Sequence, residues 1–217
     1  MELSIIIVNW NVKELLKKCL LSIKQNPPQK EYEVFIVDNA SEDGSAEMIR
    51  GDFPEFKLIA SDKNLGFAGG NNLALKEANG KYILLLNPDT EVLQGSFSAY
   101  LDFFKTHPKA GAMGIKLLNS DGSLQPSCKS FPSWRTLLWS SLFLDVLFKK
   151  SKLFGEYEMS YWQHDNERVV DQPMGAALAV RKDVVNEIGL MDGRFYMYFD
   201  EVDWCYRIKK AGYEIWF

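Results

Sequence analysis

The sequence predicts an α/β fold: a mostly parallel central sheet with helices on both faces. Short apolar runs alternate with segments of helical spacing, and parallel strands need such crossovers. The apolar runs stop abruptly on Asn, Asp or Pro, which places polar loops along one sheet edge, where open α/β sheets bind ligands. With 217 residues, 47% hydrophobic and 25% charged, the chain is long enough for one large domain with a substantial core.

Leu3 to Val8 reads as a buried strand, after which Val12, Leu15, Leu16, Cys19, Leu20 and Ile23 recur at helical spacing until Asn26, Pro27 and Pro28. Val34 to Val37 forms the second strand and closes on Asp38. The loop NASEDGS and a short helix through Ala46, Met48 and Ile49 lead to a third strand near Lys57 to Ala60. DKNLGFAGG then opens a helix from about Asn71 to Ala78. Tyr82 to Leu86, YILLL, is too short for a stable helix and suits a strand covered on both faces, and Pro88 stops the ladder. A helix from roughly Ser96 to His107 follows. Ala112 to Leu118 and Ser123 to Ser127 flank the turn residues Asn119, Ser120, Asp121 and Gly122, which reads as a hairpin. Gly175 to Val180 is a small-residue strand, Lys182 to Ile188 a helix, and FYMYFDEVDWCYRIKKAG turns helical at about Asp200.

Between these lies WRTLLWSSLFLDVLF, Trp134 to Phe148, flanked by Arg135, Lys149, Lys150 and Lys152. Its first reading is a helix covering the domain's own core or a partner surface. The other is a helix lying in a membrane interface, with cations at its ends. A balance of 25 basic and 29 acidic residues, net −4, gives no support for nucleic acid as a partner. Three dispersed cysteines argue against a disulfide framework or a zinc site and fit a reducing, cytoplasmic setting. No basic leader and no run long enough to cross a bilayer is visible. The chain stops at Phe217 inside the strand-like run AGYEIWF, and continuation of the protein past that point is expected.

Four features carry chemistry. Asp89, held just past a strand's carboxyl end, suits a hard cation bound through one carboxylate and phosphate oxygens; the alternative is a turn built by Asn87 and Asp89 around Pro88. Asp38 ends a strand as a ribose-binding acid would, but NWNVKE after the first strand lacks the glycines of a dinucleotide fold. Asp38 is left to accept a pyrimidine N–H or to cap its own loop. In NLGFAGGNN, glycines let backbone approach a ligand and a helix start favours phosphate, although a purely conformational turn gives the same pattern. In the cluster Asp200, Glu201 and Asp203, Asp200 suits an N-cap and Asp203 can pair with Arg207, which leaves Glu201 as an ionised base. Trp204 and Cys205 read as packing residues, and His107 and His164 as surface.

In order and spacing, SIIIVNWN, VDNASEDGS, NLGFAGGNN, LLLNPDTEV, the GA-containing strand near Gly175 and FDEVDWCYR resemble the inverting, metal-dependent glycosyltransferases of family 2, and in particular their rhamnosyltransferase-like branch. The resemblance covers nearly the whole chain and implies the GT-A fold. It implies a nucleotide-sugar-binding half over residues 1–92 and an acceptor-side half over 93–217, with further acceptor-side elements beyond Phe217. It also implies a divalent metal, Mg²⁺ or Mn²⁺, on Asp89, within a degenerate acidic motif that starts at Asn87. Nucleotide-binding residues would be Val8, Asn9, Asn11, Asp38, Asn64, Gly66, Asn71, Asn87 and Pro88. Acceptor-side residues would be Gly175, Ala176, Asp203, Trp204 and Arg207. Where the family usually carries Glu-Asp, this chain carries Asp-Glu, so Glu201 is the first choice of base and Asp200 the second.

The expectation is therefore sugar transfer from a nucleoside-diphosphate sugar to a saccharide or lipid-linked acceptor, with peripheral contact to a membrane or an assembly partner through 134–148. The rival functions are a non-catalytic nucleotide-sugar-binding module and a nucleotidyltransferase. The latter would want a basic glycine-rich signature near the amino terminus, and none is present.

Overall fold

A computed structural model describes residues 1–196 and 198–217. The first half is a regular alternation: β1 (Leu3–Asn9), α1 (Lys13–Gln25), β2 (Tyr32–Asp38), α2 (Ser45–Asp52), β3 (Lys57–Ala60), α3 (Gly66–Glu77), β4 (Tyr82–Leu86) and α4 (Ser96–Thr106). After it come β5 (Ala110–Gly114), the short strands β6 (Leu117–Leu118), β7 (Leu124–Gln125) and β8 (Cys128–Lys129), and the helices α5 (Trp134–Ser141) and α6 (Leu144–Leu147). The chain closes with β9 (Gln172–Pro173), β10 (Ala177–Arg181), α7 (Lys182–Ile188), α8 (Asp200–Lys210) and β11 (Glu214–Trp216).

Seven strands form the central sheet in the order β11-β5-β10-β4-β1-β2-β3. All neighbours are parallel except β10, which runs antiparallel to both β4 and β5. Period-two alternation splits the core in two. Leu3, Ile5 and Ile7 pack with α1, α2 and α4 on one face, while Ile6, Phe35 and Val37 pack with α3, α7 and α8 on the other. This is the two-faced, mostly parallel sheet that the alternating pattern predicted. The register Asn9↔Asp38 brings the ends of β1 and β2 level, and β4, parallel to β1, ends on the same edge.

Local departures have physical causes. Helix α3 starts at Gly66 rather than near Asn71, because the glycines allow a helix where side chains would clash: a Cβ on Gly70 would stand 2.7 Å from Val8 Cγ1. The expected strand 112–118 is divided, its first part entering the central sheet as β5 and only Leu117 and Leu118 pairing in the hairpin with β7. The expected helix 134–148 breaks at Phe143, which takes a left-handed backbone (φ 57°). Nor does it cover the core, since Thr136 alone of its helical residues is buried. His164, read as surface, is buried in a stack with Trp162 and against Phe217, and His107 stacks on Phe103. Each packs against an aromatic from the chain's far end, Phe217 for His164 and Trp216 for His107, which no local signal announces.

Candidate active site

Three strand ends and one strand start meet at the carboxyl edge of the parallel strands. Antiparallel β10 begins where β4 ends, and the Asn87 backbone N–H donates to Ala176 O at 2.9 Å. Gly175 follows from this pairing and lies between two further elements: a Cβ added to it would stand 3.3 Å from Phe67 Cζ and 3.8 Å from Glu201 Cβ. A cavity of about 630 Å³ opens here, lined by Asn87, Gly175, Ala176, Asp200, Glu201 and Phe67. Ser127, Lys129, Tyr157, Gln172, Tyr198 and Phe199 also line it.

Glu201 and Asp200 stand in the first turn of α8. Asp200 is not the N-cap; Phe199 takes that position with a left-handed backbone (φ 64°), and Tyr198 before it is also left-handed (φ 63°). Two successive bulky residues in this region cost on the order of 1–3 kcal/mol each, a strain that persists only where surrounding structure enforces it. The result sends Asp200 inward. It is 1% exposed; Oδ1 accepts the Glu201 N–H at 3.1 Å, and Oδ2 is buried with no partner among the described residues. Burial and the neighbouring Asp200 carboxyl raise Glu201 to about 7. Glu201 is thus a carboxyl that gains and loses its proton near neutrality, not the fully ionised one expected from its place at a helix start.

Asp38 lies outside the cavity lining, in a buried knot. Asn9 Nδ2 donates to Asp38 Oδ1 at 2.9 Å and to Ser41 Oγ at 3.1 Å, and the Ser41 N–H donates to Asp38 Oδ2 at 3.1 Å. Asn11, left-handed at φ 54°, accepts the Glu42 N–H at 2.8 Å, which ties the β1–α1 and β2–α2 loops together. The loop-capping role of Asp38 is therefore realised. Asn9 Oδ1 is left buried without a partner among the described residues. Asn39, which sequence reasoning passed over, carries the knot onward: its Nδ2 donates to Gly66 O at 3.0 Å. Asn64 Oδ1 takes the Gly66 N–H at 2.9 Å, and Asn71 Nδ2 bonds back to Phe67 O at 2.9 Å. Val8 packs on Gly70. These residues shape the start of α3 and hold it against β1.

Asp89 and Pro88 follow Asn87 out of the cavity. Asp89 is exposed, and neither its carboxylate nor the Asn87 side chain makes a hydrogen bond among the described residues. One free carboxylate beside one free amide oxygen fits a hard divalent cation that keeps water and phosphate ligands. It does not fit a self-sufficient centre, and no group of three His, Cys, Asp or Glu is gathered among the described residues.

The acceptor-side expectation for α8 is corrected beyond its first turn. Trp204 is 0% exposed and its indole N–H donates to Gly189 O at 3.0 Å, so it cannot touch an acceptor. Arg207 pairs with Asp203 at 2.8 Å and donates to Ile188 O and Leu190 O at 2.8 and 2.9 Å. The three clamp the 188–190 turn and thereby fix α8. Sequence reasoning missed Ser127, Lys129, Tyr157 and Gln172, which come from two-residue strands and loops with no periodic signal. Tyr198 and Phe199 had one, as aromatics directly before the acidic pair.

The sequence pattern of Glycosyl transferase family 2 matches residues 4–162. The chain is 26% identical over 224 residues to N-acetylglucosaminyl-diphospho-decaprenol L-rhamnosyltransferase of Mycobacterium tuberculosis, covering 97% of this chain and 71% of that protein. It is 28% identical to the low-salt glycan biosynthesis hexosyltransferase Agl10 of Haloferax volcanii, covering 99% of this chain and 64% of that one. In fold it is similar to the mannosyltransferase PcManGT from Pyrobaculum calidifontis in complex with GDP-Man and Mn²⁺, at a TM-score of 0.67 and 17% identity, covering 99% of this chain and 53% of that one. The chain thus spans between 53% and 71% of the length of these proteins. With this match over most of its length and a GT-A sheet, the chain belongs to glycosyl transferase family 2.

Proposed function

We propose that this domain transfers a hexose, rhamnose foremost, from a UDP- or dTDP-sugar to a saccharide acceptor carried on a lipid, with inversion at the anomeric carbon. The observation that carries the reading is the Asp200–Glu201 pair in the cavity, whose Glu201 carboxyl is raised to about 7. A group of that proton affinity is suited to take the proton of an attacking hydroxyl in the transition state. The acceptor oxygen forms its bond to the anomeric carbon as its proton passes to Glu201, and the bond to the nucleoside diphosphate breaks with its electron pair on the phosphate oxygen. Buried Asp200 keeps Glu201 basic enough for this and positions it through the Glu201 N–H. Asp89, with Asn87 beside it, would hold a Mg²⁺ or Mn²⁺ ion, which when bound supplies charge compensation to a departing diphosphate. The Asp38 knot would set the floor under the base, and Lys129 and Tyr157 the acceptor side. The mycobacterial relative, named for a diphospho-decaprenol substrate and rhamnosyl transfer, supports the acceptor class and the sugar.

A panel of UDP-, dTDP- and GDP-sugars with Mn²⁺, read by thermal shift and then by nucleoside-diphosphate release with lipid-linked saccharides, tests this. Binding with turnover on a UDP- or dTDP-sugar is the expected outcome. Binding that never leads to turnover with any acceptor would make the domain a nucleotide-sugar-binding module.

A further inference from the structure

We infer that the excursion between Ser130 and Tyr157 is a docking surface for an anionic lipid bilayer, set at the mouth of the active-site cavity. Its two ends are tied together: the Ser130 N–H donates to Tyr157 O at 2.9 Å, Lys129 pairs with Glu158 at 2.9 Å, and Arg135 pairs with Glu156 at 2.6 Å. Lys129 and Tyr157, at this base, both line the cavity. The excursion therefore leaves and rejoins the domain at the cavity wall.

Between those ends, α5 and α6 carry an apolar surface that the domain leaves uncovered. Trp134, Leu137, Leu138, Leu142, Phe143 and Leu147 are 42% to 79% exposed. The left-handed Phe143 separates the helices, and neither is long enough to span a bilayer. Lys149, Lys150 and Lys152 follow directly, all exposed and without an ion pair among the described residues. Within a chain of net charge −4, residues 134–155 carry four basic residues and one acidic residue.

An apolar surface edged by unpaired lysines is what an interfacial helix presents to anionic headgroups. A second copy of the chain fits less well, because a two-fold contact through this face would bring each lysine collar toward its own image. The inference rests on the lipid-linked acceptor proposed above. A bilayer held at the excursion would place the head of such an acceptor beside Lys129 and Tyr157.

Co-sedimentation of the full chain with vesicles of phosphatidylcholine alone, and of an equimolar phosphatidylcholine–phosphatidylglycerol mixture, tests the proposal. The protein is expected to sediment with the mixed vesicles, less with phosphatidylcholine alone, and less as salt is raised. K149E/K150E/K152E is expected to lose on the order of a hundredfold in partitioning, and L142S/F143S/L147S to stay in the supernatant. Thermal shift with UDP- and dTDP-sugars is read on the same preparations and should be unchanged in both variants. A wild-type chain that ignores both vesicle types while keeping its nucleotide-sugar response overturns the docking surface alone. So does a lysine variant that sediments like wild type, or a wild-type dimer that becomes monomeric in L142S/F143S/L147S. Vesicle binding without any nucleotide-sugar response would support the docking surface and remove the transferase reading.

Discussion

Asp200 Oδ1 accepts the Glu201 N–H at 3.1 Å, while Asp200 Oδ2 is buried with no partner among the described residues. Burial and this neighbouring carboxyl favour a proton on Glu201, which is raised to about 7. The sign for stability follows. The folded state holds this proton more tightly than the unfolded chain, so the contribution is complete below the ordinary carboxyl value of 4.5 and is lost as pH rises to about 7. Its size is on the order of 3 kcal/mol. Glu201→Gln keeps a neutral side chain at every pH, so it is expected to flatten the stability profile between those limits and to raise Tm at alkaline pH. Thermal melts of both proteins across that range check this.

At the opposite end of the sheet, Glu33 is expected to matter for stability only. It accepts from Ser4 Oγ at 2.6 Å and the Asn79 N–H at 2.8 Å and pairs with Lys57 at 2.7 Å. Burial pushes its carboxyl up, but Lys57, Ser4 and Asn79 outweigh this and leave it below the usual range. Its contribution is present above the usual carboxyl range and fades as pH falls through the lowered value. Glu33→Ala should cost about 2–3 kcal/mol in denaturant unfolding at neutral pH, because Ser4 and Asn79 lose their acceptor, with turnover of the folded fraction unchanged.

Gly175 offers a test of the cavity that leaves the carboxylates in place. Its missing side chain keeps the space between Phe67 and Glu201 open. Gly175→Val should lower turnover by about tenfold or more and cost about 1–3 kcal/mol in unfolding free energy, since even its Cβ would stand 3.3 Å from Phe67 Cζ and press the ring aside. A large loss of stability without a matching loss of turnover would place Gly175 in the core instead.

The Asp38 knot joins stability to donor binding. Asp38→Ala removes the acceptor for Asn9 and the Ser41 N–H, so a loss of about 2 kcal/mol in stability is expected. The thermal response to nucleotide sugar should weaken with it. A loss of stability with an unaltered response would leave Asp38 as a loop cap alone.

Asp89 and Asn87 predict a metal site that depends on nucleotide. With one carboxylate and one amide oxygen available from the chain, Mn²⁺ should bind weakly alone and more tightly once a nucleoside diphosphate is added. Calorimetric titration with and without UDP or dTDP measures this, and tight binding without nucleotide would contradict it.

Much of the fold was legible because it rests on local signals. Uncharged runs such as YILLL and helical spacing after LSIIIV placed the strands, and Asn87, Asp38 and Asp200 marked the edge. What escaped depends on contacts distant in sequence. The glycines of NLGFAGG read as an open loop because the close approach of Val8 that they permit is invisible along the chain. The residues themselves marked Trp204 as packing and Arg207 as the partner of Asp203, as the structure has them; the acceptor-side role came from the family resemblance alone, and the 188–190 turn they hold was not legible along the chain. Burial likewise changed Glu201: a helix start alone implies an ionised carboxylate, whereas the buried Asp200 beside it moves the proton affinity toward neutrality.

Glu201 as the base is decided by nucleoside-diphosphate release measured against pH for wild type and Glu201→Gln. Wild-type kcat/KM should rise with pH through an inflection near 7. Glu201→Gln should lose about a hundredfold or more while retaining its thermal response to the nucleotide sugar. A Glu201→Gln protein that turns over at close to the wild-type rate with the same pH profile would mean that another group takes the proton.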